Sequence, residues 1–153
     1  MRVTVLLITA MGALPVAQGG EHERPATQRL LPTYRQECSG CHIAYPPGML
    51  PAASWQRLLA DLPHHFGTDA SLEPAVVEQL SAWLTANAGR GRRVDPAPPQ
   101  DRITRSTWFV REHHGIPASA WSRAAVKSPS NCAACHAGAE QGVFDEHSVR
   151  IPR

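Results

Sequence analysis

A five-residue pattern, Cys-x-x-Cys-His, occurs twice in this chain and uses all 4 of its cysteines: Cys38-Ser39-Gly40-Cys41-His42 and Cys132-Ala133-Ala134-Cys135-His136. On a helical turn, positions i, i+3 and i+4 share one face. Two thiols so placed bond the vinyl groups of a porphyrin while the adjacent imidazole reaches its iron, which is how haem c is attached. Ser39, Gly40, Ala133 and Ala134 are small and leave the approach open. A zinc site would set a second cysteine pair roughly 15 to 20 residues after the first, whereas these pairs lie about ninety residues apart. A disulfide framework suits an exported chain with an even cysteine count, but it gives no reason for a histidine directly after each pair. Two covalently bound haem c groups are therefore expected, one on Cys38, Cys41 and His42, the other on Cys132, Cys135 and His136.

The remaining composition suits a core completed by a cofactor. A chain of 153 residues makes one domain or two small ones. Its hydrophobic fraction of 42% with 14 Pro and 11 Gly predicts short helices and loops with little sheet. Arg2, the apolar run from Val3 to Val16 and the small-x-small site Ala17-Gln18-Gly19 read as a signal peptide over residues 1–19, so a soluble periplasmic protein is expected. The run is shorter than the roughly 20 apolar residues that span a bilayer. Loss of Arg2 takes the formal charge from +2 to +1, and haem carboxylates make the holoprotein slightly acidic, which argues against nucleic acid as a partner. Charge is uneven: residues 21–90 hold five Arg against seven acids, residues 91–153 nine basic residues against six acids. Such asymmetry orients a docking partner.

The stretch Ala86–Gln100 (ANAGRGRRVDPAPPQ) has the Gly, Pro and Arg content of a linker. It separates an N-terminal domain (20–90, first haem) from a C-terminal domain (101–153, second haem), with 91–100 as the linker proper. Before it, Pro32 suits the opening turn of a short helix running through Tyr34 and Glu37 into the first motif. Trp55, Leu58, Leu59 and Leu62 recur at helical spacing until Pro63. Ser71 is the expected N-cap of a third helix whose apolar face carries Leu72, Val76, Val77, Leu80, Trp83 and Leu84, with Gly89 as its C-terminal glycine. After the linker, Thr104–His114 predicts a helix with Phe109, Val110 and His113 on one face, closed by Gly115 and Pro117. A last helix is expected from near Ser130 through the second motif. No strand signal appears, so the fold class is all-α, with two small haem-binding domains, the second short and loop-rich.

The other axial position of each iron decides function, because two strong ligands leave only electron transfer whereas one leaves room for gases or chemistry. The pairs His64-His65 and His113-His114 each follow an apolar, Trp-containing helix and lie 22 or 23 residues from the nearer motif histidine. Local pairing of His42 with His65 and of His113 with His136 is the simplest assignment, with crossed pairing open. His113 shares the face of Phe109 and is preferred over His114; periodicity does not choose between His64 and His65, since Pro63 has ended the helix. Met49 in Tyr45-Pro-Pro-Gly-Met49 is an alternative ligand for the first iron, because seven residues extend roughly 23 Å. His22 and His147 are left as surface residues. Tyr45, just behind His42, stands either between the two porphyrins or packed beside its own.

Four segments resemble the soluble dihaem cytochromes c of purple and related bacteria: 38–58 (CSGCHIAYPPGMLPAASWQRL), 62–74 (LPHHFGTDASLEP), 102–114 (RITRSTWFVREHH) and 126–153. The resemblance implies a first domain similar to class I cytochromes c, a second peculiar to the family, and bis-histidine iron. Its His-Phe-Gly pattern falls on His65 and its Arg-Glu-His on His113. It also implies a low-potential electron donor to a small oxygen-binding monohaem cytochrome, the sphaeroides haem protein, with a membrane b-type cytochrome linked to some members. The function expected is electron transfer by a monomer without catalytic residues, through metal ligands His42, His65, His113 and His136. The rival is a small haem enzyme, a peroxidase or oxyanion reductase, with one open iron and Arg102, Arg105 or Arg111 steering an anion.

Overall fold

The computed structural model describes residues 30–153, so the expected signal peptide and His22 lie outside the described residues. Pro32 occupies the first turn of α1 (Pro32–Cys38), where its missing N–H has no partner to lose. Tyr34 projects from this helix into the core and is only 2% exposed. Its ring meets Trp55 edge-on at 6.4 Å and Trp83 at 5.4 Å, so one residue ties α1 to α2 (Ala52–Ala60) and α3 (Pro74–Asn87). The Tyr34 hydroxyl donates to Tyr45 O at 2.9 Å, and Trp55 Nε1 donates to Pro47 O at 2.8 Å. Both aromatic polar tips are thereby satisfied inside the core. Leu50, Leu80 and Leu84 fill the space between, each contributing roughly 1.5–3 kcal/mol by burial.

Two expectations for α3 need correction. Ser71 does not cap it: its backbone and hydroxyl bond Asp69 Oδ1 at 2.9 and 2.5 Å, and the helix begins after Glu73 with Pro74. Gly89 is not a left-handed terminator either, because the helix ends through extended Ala88. Gly89 instead pairs with the chain before α2, its N–H donating to Leu50 O at 2.9 Å. A Cβ there would stand 2.4 Å from Gly48 O and 2.7 Å from Val94 Cγ1, so the glycine is required by close approach. Within the Pro- and Gly-rich stretch, Val94 (3% exposed) and Pro98 are buried while the other residues of 91–100 are exposed, so the connection is pinned at two points.

The second half has shorter elements than expected. The helix predicted from Thr104 to His114 divides into a 3-10 turn (Ile103–Arg105) and α4 (Thr107–Glu112). Ser106 makes the break, donating its hydroxyl to Ile103 O at 2.7 Å and accepting from Phe109 N at 3.2 Å as the N-cap of α4. Pro117 then starts α5 (Ala118–Trp121). The second motif forms only a 3-10 turn (Cys132–Ala134), yet His136 N still donates to Cys132 O at 2.9 Å, the i to i+4 bond of a helical turn. The tail folds back over it: Arg150 N donates to Cys135 O at 2.9 Å and Val149 bridges His136. The described residues form no strand beyond isolated bridges, and the all-α expectation holds.

Candidate cofactor sites

The last residue of α1 is Cys38, and Cys41 and His42 follow in the turn after it. The His42 ring is fixed from two sides. Its Nδ1 lies 2.7 Å from Ile43 O, and Tyr45 stacks on it with centroids 4.8 Å apart and planes at 24°. Bonding Nδ1 to a carbonyl assigns the proton to that atom and leaves Nε2 free as a donor to metal. Across an open space stands His65, its ring centroid 6.1 Å from that of His42. His65 comes from the bend after the 3-10 turn Leu62–His64, and Phe66 beyond it takes a left-handed φ of 52°. The Nδ1 of His65 is buried without a partner.

The space between these rings belongs to a cavity of about 640 Å³. Cys38, Cys41, His42 and His65 line it together with Leu50, Trp55, Leu58, Leu59, Leu80 and Leu84, so the floor of the core is also its wall. Its far part is closed by the second half of the chain, through Arg102, Ile103, Ser130 and Cys132.

A second constellation is built from α4 and the second motif. His113 follows Phe109 by one helical turn, stacking on it at 4.0 Å and 20°, with Nδ1 placed 2.9 Å from Phe109 O. Trp121 of α5 flanks the same ring at 5.9 Å. His136 lies with its centroid 6.1 Å from that of His113, the same separation as in the first pair, and Phe144 packs edge-on against it at 5.4 Å. The alternative ligands are elsewhere. His64 is exposed and bonds Asp61 at 2.7 Å, which raises its pKa, and His114 is exposed beside Arg111 O. Met49 lies in the 3-10 turn Pro47–Met49 and does not line the cavity, and His147 is at the surface.

Electrostatics agree with neutral, ligating side chains. Burial, then His42 and Arg102, lower the pKa of His65; burial, then His113, lower that of His136. The neutral imidazole is the form that binds metal. Burial, with Glu37 nearby, pushes the Cys38 thiol up to about 11, and burial also raises Cys132 and Cys135. Thiols meant to bind a metal ion as thiolates are lowered instead. Among the described residues no cluster of three or more His, Cys, Asp or Glu would hold a bare metal ion.

Residues 34–144 match the family model of the dihaem cytochromes c. The chain belongs to the dihaem cytochrome c family. Solved members bear this out. The crystal structure of DHC from Rhodobacter sphaeroides is 47% identical, covers 74% of this chain and 96% of its own, and superposes with a TM-score of 0.65. A second structure of dihaem cytochrome c from the same organism is 46% identical over 76% of this chain and 98% of its own, with a TM-score of 0.67. The dihaem cytochrome of Shewanella baltica OS155 is 38% identical over 79% of this chain and 92% of its own, with a TM-score of 0.70. No match was found among curated proteins.

As a dihaem cytochrome c, the protein carries two covalently attached c-type haems and functions in electron transfer. The donor sets fit such groups: paired thiols beside an imidazole, a second imidazole facing it, and for the first site a largely apolar cavity. Several neighbours of the ligand candidates were invisible to sequence reasoning, among them Trp121 and Phe144. Phe109 was placed on the face of His113 by its spacing, but its stacking on the ring was not foreseen.

Proposed function

We propose that this dihaem cytochrome c is a periplasmic electron carrier with two bis-histidine, low-spin haems. Cys38 and Cys41 would hold the first haem through thioether links, and His42 and His65 would ligate its iron. Cys132 and Cys135, with His136 and His113, would do the same for the second. The observation that carries this is the equal 6.1 Å separation of the two imidazole pairs, each beside its own cysteine pair. An ion bonded to one nitrogen of each ring at about 2 Å holds the ring centres roughly 6 Å apart. The residues 20–90 supply the ligands of the first haem and 101–153 those of the second, with 91–100 joining them.

Each haem supplies one-electron cycling between ferric and ferrous iron. The chain does the rest. Ile43 O and Phe109 O hold the Nδ1 protons of His42 and His113, which fixes ring orientation and raises ligand basicity. Stacking of Tyr45 and Phe109 on those rings resists their rotation. Two imidazoles favour ferric iron more than an imidazole and a thioether do, so both potentials are low. The resemblance within the family supplies the partners: a small oxygen-binding monohaem cytochrome as acceptor, and a membrane b-type cytochrome as a second redox partner.

Intact mass spectrometry of protein matured with haem-attachment machinery will register two added haems. Absorption and EPR spectra will contain only low-spin iron, in both redox states, with no response to carbon monoxide. In a spectroelectrochemical titration, His65→Met and His113→Met will each raise one of the two midpoints, on the order of 0.1 V within the ~0.8 V that axial ligation commands. A high-spin or CO-binding fraction in the parent protein would sink the proposal and favour an enzyme with an open iron.

A further inference from the structure

Arg102 is half-buried and contributes to the lining of the first cavity although it follows the linker in sequence. Its guanidinium lies over the Phe66 ring, 4.2 Å from the centroid, directly beside His65. None of the ion pairs among the described residues includes it. The carboxylates on the same lining are otherwise engaged. Asp101 takes a two-point bond from Arg57 at 2.7 and 2.9 Å, Asp69 accepts from Ser71, and Glu37 accepts from Gln36 at 3.0 Å. Taking a cation partly out of water without a counter-ion is costly.

The position is held deliberately by its neighbours. Gln100 and Asp101 both adopt left-handed backbone, at φ 53° and 55°, which non-glycine residues rarely occupy. The Arg57 fork on Asp101 fixes that turn, and Phe66, itself left-handed, offers its face to the next residue's guanidinium. Local strain of this kind persists where the surroundings over-determine it.

We propose that Arg102 is the counter-ion of a carboxylate on the first haem. The inference rests on the first haem occupying this cavity through Cys38, Cys41, His42 and His65. A haem fixed by its vinyl edge to the two cysteines brings its two carboxylates to another part of the wall, and Arg102 is the arginine that lines the cavity. A charge-assisted guanidinium–carboxylate bond satisfies both groups. A residue of the second half of the chain would thus bind the cofactor of the first, and its positive charge on the wall of that cavity would favour the added electron.

Arg102→Gln and Arg102→Lys, matured as full-length holoprotein, test this by haem mass and by the two midpoints, the first-haem wave being the one that His65→Met moves. Arg102→Gln will shift the first-haem midpoint to lower potential and leave the second in place, and Arg102→Lys will restore most of the shift. Loss of the first haem from Arg102→Gln, with retention in Arg102→Lys, carries the same meaning. Two intact haems with unshifted midpoints in Arg102→Gln overturn the proposal, as does equal haem loss in both variants, which would assign the arginine a role of shape alone. Failure of the underlying site is recognised separately, by a parent protein that lacks the first haem or by His65→Met leaving both waves unmoved.

Discussion

Tyr45 touches both halves of the molecule. Its ring stacks on His42 at 4.8 Å, while its hydroxyl donates to Ser130 O at 2.7 Å, two residues before Cys132. Burial, then the nearby Cys132, push its pKa up to about 12, with the Ser130 bond opposing, so the phenol remains a protonated donor at any working pH. The stack on His42 suits a ring packed beside its own haem and the Ser130 bond suits one that reaches toward the other, so both positions the sequence allowed stay open. Tyr45→Phe keeps the stack and removes one neutral hydrogen bond, so stability will fall by about 1 kcal/mol in urea denaturation while interhaem electron transfer changes little. Tyr45→Ala removes the ring as well. It will cost about 2 kcal/mol or more and slow interhaem transfer measured by flash photolysis; an unchanged rate would mean that the ring takes no part in coupling.

At the scale of elements, α4 exists to carry His113, and it is only six residues long. A helix so short is not stable by propensity and depends on its ends and on packing. Ser106→Ala will therefore destabilise the protein by about 1 kcal/mol, and a broadened second-haem EPR signal will report looser seating of His113. Gly89→Ala acts through a different cause, the contact between α3's exit and the Gly48 carbonyl, and will cost about 1–3 kcal/mol in thermal or urea denaturation without altering either midpoint. These two positions also mark where the sequence stopped being legible. Pro32, the Trp55 to Leu59 spacing and the Val76 to Leu84 stripe announced α1, α2 and α3, because those helices bury a conventional apolar face; Leu62 falls in the 3-10 turn after α2 and Leu72 before α3. Ser71 and Gly89 carried the right residue types for caps, yet the neighbouring Asp69 claimed the first through a local turn and the approach of Leu50 and Gly48 claimed the second. In the second half, periodicity ran on through Ser106, and only its hydroxyl, bonded in both directions, divides the turn from the helix. There the packing around His113 and His136 is aromatic, from Phe109, Trp121 and Phe144, with little periodic signal to read.

The whole molecule is held together across the Pro-rich connection by a few specific contacts. Arg93 lies over Trp108 at 5.0 Å, Arg102 over Phe66, Tyr45 bonds Ser130, and Arg57 of α2 grips Asp101. The last of these is open to a pH test. Hydrogen bonding from Arg57 holds the Asp101 carboxyl below its ordinary value of 3.8, with burial opposing in part. A carboxyl whose folded pKa is depressed lends stability above its unfolded pKa and loses it as pH falls through the folded one. The Asp101 side chain is 14% exposed but that of Arg57 is 56% exposed, so water screens the pair and the effect is modest. Asp101→Asn will lower the melting midpoint of the holoprotein at pH 7 by up to a few degrees. The gap between variant and parent will close as pH falls through the depressed pKa of folded Asp101, because the parent then carries a protonated Asp101 that grips Arg57 no better than asparagine does. A gap that persists unchanged at low pH would mean that the residue acts through the shape of its left-handed turn rather than through its charge.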